Sequence, residues 1–207
     1  MNMGKNMLVT ATLLAAFAIA GTAIVALIYQ NTKARVAQNK RDYTLGKLHE
    51  LINADQHDND IEQDTILVKD QALGTNNDVI VYRARKNNKP VAAIIQSTAP
   101  DGYSGAVEML VAINYDGNLL GVRVVAHKET PGLGDAIDAR KSDWINQFGG
   151  NSLENTPKEK WKVKRDGGKF DQITSATITS RAVVKGVYNT LNYYRQNRKL
   201  LFKQVSQ

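Results

Sequence analysis

The 207-residue chain has no cysteine, which excludes a disulfide framework, a thiolate-ligated iron–sulfur cluster and a cysteine zinc site. Histidine is nearly as scarce: His49, His57 and His127 stand far apart, so a His-based metal or haem site has no cluster to build on. Internal repeats and nucleic-acid motifs are also missing, although 27 Lys and Arg against 20 Asp and Glu leave a formal charge of +7. That charge is localised. From Thr179 onward there are six basic residues and no acidic one, and Lys33 to Lys47 adds five basic residues against Asp42. The apparent nucleic-acid charge therefore resolves into a membrane-proximal stretch and one terminal segment, and no nucleic-acid partner is expected.

Charge is wholly absent from Leu8 to Tyr29 (LVTATLLAAFAIAGTAIVALIY). At 1.5 Å per residue this run is long enough for a helix to cross a hydrocarbon core of about 30 Å, and longer than the apolar run of a cleaved signal peptide. A transmembrane anchor over 8–29 is the reading. Lys33, Arg35, Lys40 and Arg41 follow it while only Lys5 precedes it, so a literal positive-inside count puts the C-terminal body in the cytoplasm. Val36, Tyr43, Leu45, Leu48, Leu51 and Ile52 then mark an amphipathic helical stalk from Thr32 to about Ala54. Glu50 to Asp64 lacks Lys and Arg but holds six acidic residues. Neither EF-hand spacing nor its glycine is present, so this reads as a solvated loop; stalk and loop together span 30–63.

The remainder, 64–207, reads as one α+β domain: an antiparallel sheet with packed helices. Strand patterns occur at Asp64–Val68, Val79–Arg85 and Val91–Ser97, the last two joined by a turn at Asn87, Asn88 and Lys89. AVEMLVAIN and LLGVRVVAH flank Tyr115–Asn118, whose Asp-Gly pair signals a hairpin. Val107, Met109, Val111 and Ile113 alternate, answered by Leu120, Val122, Val124 and Ala126, which predicts a sheet with one buried face. A helix is expected over Ala136–Phe148, carrying Ile137, Trp144, Ile145 and Phe148, followed by a polar stretch from Gly149 to Lys160. A last helix runs from near Thr179 to about Lys203, with Val183, Val187, Leu191 and Tyr194 as its core stripe.

Three segments carry the candidate chemistry. The glycine-bearing turns APDGYSGA (99–106) and HKETPGLGD (127–135) permit close backbone approach to a ligand, but neither is a P-loop or a complete GxGxxG fingerprint, and Ser104 lacks the frame of a nucleophile elbow. The third, GGKFDQITSATITSRAVV (167–184), clusters Thr174, Ser175, Thr177, Thr179 and Ser180 at the entrance to the last helix. Such hydroxyls serve either as helix N-caps or as part of an anion site at the positive end of the helix dipole.

DQITSAT (171–177) resembles the motif Asp-x-x-(Ser/Thr)-Gly-Ala-Thr, in which FMN is joined through its phosphate to the final threonine. With ETPGLG (129–134) and the DGYSG turn, the chain resembles the G subunit of Rnf-type (Rsx) electron transport complexes and, more distantly, the C subunit of sodium-translocating NADH:quinone oxidoreductases. The resemblance implies covalent FMN on Thr177, with Asp171, Thr174 and Ala176 read by a flavin transferase that moves FMN from FAD. Ser175 stands where the family usually has glycine; serine restricts positive φ. Thr174 and Thr179 are rival acceptors that the residues alone leave open. The resemblance further implies ring contacts from Glu129, Thr130, Leu133 and Gly134, without acid–base catalysis; Glu129 as a solvated turn residue is the other reading. It places the flavin domain on the periplasmic side of a bacterial inner membrane, against the positive-inside count. The expected role is electron transfer, with the other complex subunits as partners. A flavin-free, membrane-tethered assembly module is the alternative, and a free-standing FMN reductase a third.

Overall fold

In the computed structural model, which describes residues 3–203, helix α1 spans Met3–Leu51 and helix α2 spans Thr177–Leu201. Between them lie five strands: β1 (Thr65–Val68), β2 (Val79–Lys86), β3 (Lys89–Ala99), β4 (Val107–Asn114) and β5 (Leu119–Ala126). The chain divides into two compact units, Met1–Thr44 and Leu45–Gln207.

The first unit is helical throughout its described residues, and its apolar window is exposed along its whole length. Leu13, Leu14, Phe17 and Ile24 all face outward. A helix apolar on every side needs an apolar solvent, so α1 is a candidate membrane span. Its threonines fit that reading: the hydroxyls of Thr10, Thr12 and Thr22 donate to the carbonyls four residues earlier at 2.9, 2.9 and 2.7 Å. Polar groups paired in this way do not have to be solvated in hydrocarbon.

The second unit is built on an antiparallel sheet in the order β1-β2-β3-β4-β5. Sequential hairpins dictate that order. Asn87 and Asn88 adopt φ of 50° and 60° in the β2–β3 turn, a left-handed pair that asparagine tolerates, and Gly117 at φ 96° serves the β4–β5 turn. Lys89 belongs to β3 rather than to the turn.

Both faces of the sheet are covered, not one. On the first face Ala93, Ile95, Val107, Met109, Val111, Ile113 and Val122 pack against Val183, Val187, Leu191 and Tyr194 of α2. On the second, Tyr82, Ala92, Ile94, Leu110 and Ala112 meet Leu48, Leu51, Ile52 and Ile61. Alternation does not reveal this second core, because Ile94 and Leu110 stand within continuous apolar runs and Ala92 and Ala112 are small. Leu120 correspondingly belongs to the second face: the register shifts at Ala112/Ile113, so Ile113 pairs with Leu119 and the phase of β5 changes.

Helix α2 lies close on the sheet. A Cβ at Gly186 would come within 2.5 Å of Met109 Cε, and Thr190 Oγ1 sits 2.7 Å from Ser97 Oγ in the buried interface. At its C-terminal end Arg83 donates to the carbonyls of Leu201 and Lys203 at 3.4 and 3.2 Å, and Arg85 to that of Phe202 at 3.3 Å. Asp64 holds both arginines, at 2.6 Å from Arg83 Nε and 2.8 Å from Arg85 Nε. The acidic stretch is therefore not simply a solvated loop: Asp58 also accepts the Asn87 N–H at 2.7 Å, and Asn59 accepts that of Arg85 at 2.7 Å.

The α-helix expected over 136–148 is instead two short 3-10 turns, Gly134–Ile137 and Asp143–Phe148. Asp138 captures the Arg140 N–H at 2.9 Å and Ser142 that of Trp144 at 3.2 Å, and these local bonds compete with helical pairing. Ile137, Ile145 and Phe148 still reach the core. The polar stretch after them is ordered by buried Asn151, Ser152 and Thr156, with Trp161 Nε1 donating to the Thr156 carbonyl at 3.0 Å.

Candidate functional site

The three glycine- and hydroxyl-bearing segments converge on one cavity of about 320 Å³, a size ordinary for a small-molecule site. Glu129, Thr130, Leu133 and Gly134 line one side, and Thr174, Ser175, Ala176 and Thr177 the other; Tyr103, Ile178 and Thr179 complete the wall.

Helix α2 opens onto this cavity at its N-terminus. Its N-cap is Ala176, which has no side chain able to cap, and the first backbone bond of the helix runs from Ser180 N to the Ala176 carbonyl at 3.0 Å. The N–H groups of Thr177, Ile178 and Thr179 precede that bond and have no helical acceptor, so together with the dipole they suit an anion. The hydroxyl cluster does not act as the cap. Ser180 Oγ turns back to the Ala176 carbonyl and receives the Ile173 N–H, both at 3.0 Å. Thr179 is fully buried and donates to Glu129 Oε2 at 2.7 Å. The hydroxyls of Thr174, Ser175 and Thr177 make no hydrogen bond among the described residues, and Thr177 is the first residue of the helix.

Glu129 is 5% exposed, so it is not a solvated turn residue. Its carboxylate crosses between the segments: Oε1 receives the Ser104 N–H at 3.0 Å while Oε2 receives the Thr179 hydroxyl, and its own N–H donates to His127 Nδ1 at 3.1 Å. The surrounding glycines make room for it. A Cβ on Gly134 would lie 2.6 Å from Glu129 Oε2, and one on Gly102 would lie 2.2 Å from the Gly105 carbonyl oxygen and 2.9 Å from Glu129 Oε1. Across the same turn the Thr130 carbonyl accepts from both Leu133 and Gly134 at 3.1 Å, with Gly132 at φ 76°.

Ser175 is exposed and is not among the residues with positive φ, which outside glycine are Asn87 and Asn88. The left-handed backbone that would require glycine is not used at this position. Asp171 stands apart from the cavity lining: its carboxylate is exposed and pairs with Lys164 at 2.7 Å, while its carbonyl accepts from Trp144 Nε1 at 2.7 Å.

Two lining side chains were not singled out by sequence reasoning. Tyr103 is 71% exposed and Ile178 is half exposed; with Leu133 they give the cavity an apolar surface suited to a flat ring, beside the polar end offered by α2. Tyr103 sits inside the DGYSG turn, where the glycines drew attention away from the aromatic between them. An anionic group at the helix terminus and an aromatic body against Tyr103, Leu133 and Ile178 is the ligand this arrangement accommodates.

The sequence matches the FMN-binding domain family over residues 102–192 and the RnfG N-terminal region family over residues 1–51. Curated relatives agree with both. The G subunit of the ion-translocating oxidoreductase complex of Vibrio atlanticus (strain LGP32) is 44% identical over 191 residues, 92% of this chain and 91% of that protein. Its counterpart in Yersinia pestis is 47% identical over 180 residues, 87% of this chain and 86% of its own. The counterpart in Shewanella oneidensis is 43% identical over 203 residues, 98% of this chain and 96% of its own.

Proposed function

This chain belongs to the family of G subunits of ion-translocating oxidoreductase complexes, and on that premise we propose that it is a membrane-anchored electron carrier with FMN joined by a phosphoester to Thr177. The observation that carries the attachment site is the contrast between two threonines on one helical turn. Thr177 begins α2 on the cavity wall with its hydroxyl unengaged, while Thr179 is buried and committed to Glu129. Thr174 shares the cavity, and only its position in the DQITSAT motif separates it from Thr177.

The residues fit the cofactor. The open N–H groups of α2 would meet the phosphate, and Tyr103, Leu133 and Ile178 would cover the ring. FMN supplies one-electron transfer when bound; the protein orients and shields it. In attachment, a flavin transferase that reads Asp171, Thr174 and Ala176 directs Thr177 Oγ onto the FMN-side phosphorus of FAD. One P–O bond forms, the bridging P–O bond breaks, AMP leaves and the hydroxyl proton is released. Exposure of Asp171 and Ser175 supports access to this segment.

Residues 8–29 form the anchor, 30–63 the stalk and its loop, and 64–207 the flavin domain. We place that domain on the periplasmic side of a bacterial inner membrane, since long domains translocate largely regardless of flanking charge. The other subunits of the complex donate and accept the electrons.

Intact mass of the chain produced with its transferase tests the attachment. The flavoprotein reading expects an added FMN less one water, absent in Thr177→Ala and retained in Thr174→Ser, which keeps the hydroxyl the transferase reads, and in Thr179→Ser. A bare polypeptide in every case supports the flavin-free assembly module. Steady NADH oxidation by the isolated chain would instead indicate a free-standing reductase.

A further inference from the structure

Glu129 is the one acidic side chain that lines the cavity, and it is turned into the wall rather than to solvent. Both of its oxygens are taken by donors, an N–H from the turn at Ser104 and a hydroxyl from Thr179 on α2. No Lys or Arg pairs with it among the described residues. It thus ties together positions 104, 129 and 179, which the chain keeps far apart, and it leaves a carboxylate without a cationic partner beside the space the ligand occupies.

Resting on the FMN reading above, the geometry points to Glu129 as a positioning residue that locks the three walls around the flavin and sets its potential through its buried charge. The role assigned to it is positional and electrostatic, with no proton transfer. Two consequences follow from electrostatics and packing. A carboxylate in a water-poor wall disfavours added electron density on a neighbouring ring, so removing its charge makes reduction easier. Releasing Thr179 from it frees the first turn of α2 from the ETPGLG segment, so the ring loses its fixed orientation. The clearance at Gly102 and Gly134 belongs to the same device: their missing side chains let the carboxylate span the gap.

The test uses the full chain, made with its transferase and solubilised in detergent, as wild type, Glu129→Gln, Thr179→Ala and Thr179→Ser. Mass spectrometry first establishes whether FMN is attached; its absence from the wild type overturns the FMN reading itself. With FMN attached, Glu129→Gln is expected to raise the reduced-to-oxidised ratio about tenfold at a fixed solution potential, about 59 mV for one electron. A ratio within about twofold of wild type overturns the charge role. Thr179→Ala is expected to lose at least about half of the flavin's visible circular dichroism, and Thr179→Ser to restore it, since serine keeps the donor. An unchanged signal in Thr179→Ala overturns the positioning role even if Glu129→Gln does not fold. In the flavin-free chain, the Ser104 amide should exchange with solvent about tenfold faster in Glu129→Gln than in wild type if the wall is held as described.

Discussion

The two ends of α2 are treated in opposite ways. At the C-terminal end the last carbonyls are met by Arg83 and Arg85, and these guanidiniums are fixed in turn by Asp64, so polar groups on three elements are mutually satisfied. At the N-terminal end the cap is an alanine, the first N–H groups have no helical acceptor, and the nearby hydroxyls of Thr174, Ser175 and Thr177 are unengaged. A folding chain normally closes both ends, because unpaired helix termini cost free energy unless water or a ligand meets them. One helix therefore joins a stabilising end to a binding end, and Glu129 marks the boundary by engaging Thr179 within the first turn of the open end.

The contrast between the ends breaks most sharply at Thr177. Thr177→Ala should remove the covalent flavin completely while leaving the urea midpoint of the flavin-free chain almost unchanged, because the hydroxyl makes no hydrogen bond to the protein. The closed end should respond in reverse. Asp64→Ala leaves two largely buried guanidiniums uncompensated and should cost about 3 kcal/mol in a urea titration, with the flavin adduct still present in the folded fraction.

A smaller effect is expected from Tyr194, whose hydroxyl donates to the Tyr115 carbonyl at 3.1 Å near the closed end. Tyr194→Phe should cost about 1 kcal/mol near neutral pH. Burial pushes the Tyr194 phenol well above its ordinary value, with the nearby Arg198 charge opposing the rise only in part. A raised value means that the folded state holds the proton more tightly than the unfolded state. The contribution is thus complete below the unfolded value of about 10 and is lost as pH climbs toward the folded one. Urea titrations at rising pH should show a steeper alkaline loss in wild type than in Tyr194→Phe. The smallest change is expected from Ser175→Gly at the open end. With no left-handed backbone to relieve, glycine should keep the adduct and cost about 0.5 kcal/mol through unfolded-chain entropy.

Much of this architecture is legible along the chain. The charge-free run at 8–29, the Asp-Gly hairpin, the alternation of Val107 to Ile113 and the stripe from Val183 to Tyr194 are local patterns, and each is found where its period places it. The expected helix over 136–148 failed because Asp138 and Ser142 satisfy backbone N–H groups that a helix would have used, an outcome that periodicity does not record. The phase of Leu120 failed through a bulge, where one extra residue reverses which face a side chain takes.

The same division runs through the site. DGYSG, ETPGLG and TSATITS are each readable as segments able to approach a ligand, since glycine and hydroxyl residues announce themselves by type. Their partnership is not readable, because the hydrogen bonds from Ser104 and Thr179 to Glu129 join residues 25 and 50 positions from it. The apolar span, the strand pattern and the clustered hydroxyls follow from residue type and short spacing along the chain. That Thr179 is buried while Thr177 stays open, and that Glu129 turns inward between them, is settled by the packing of the folded chain. Burial and pairing belong to surfaces brought together by folding, and neither exists until the sheet has set α2 against its turns.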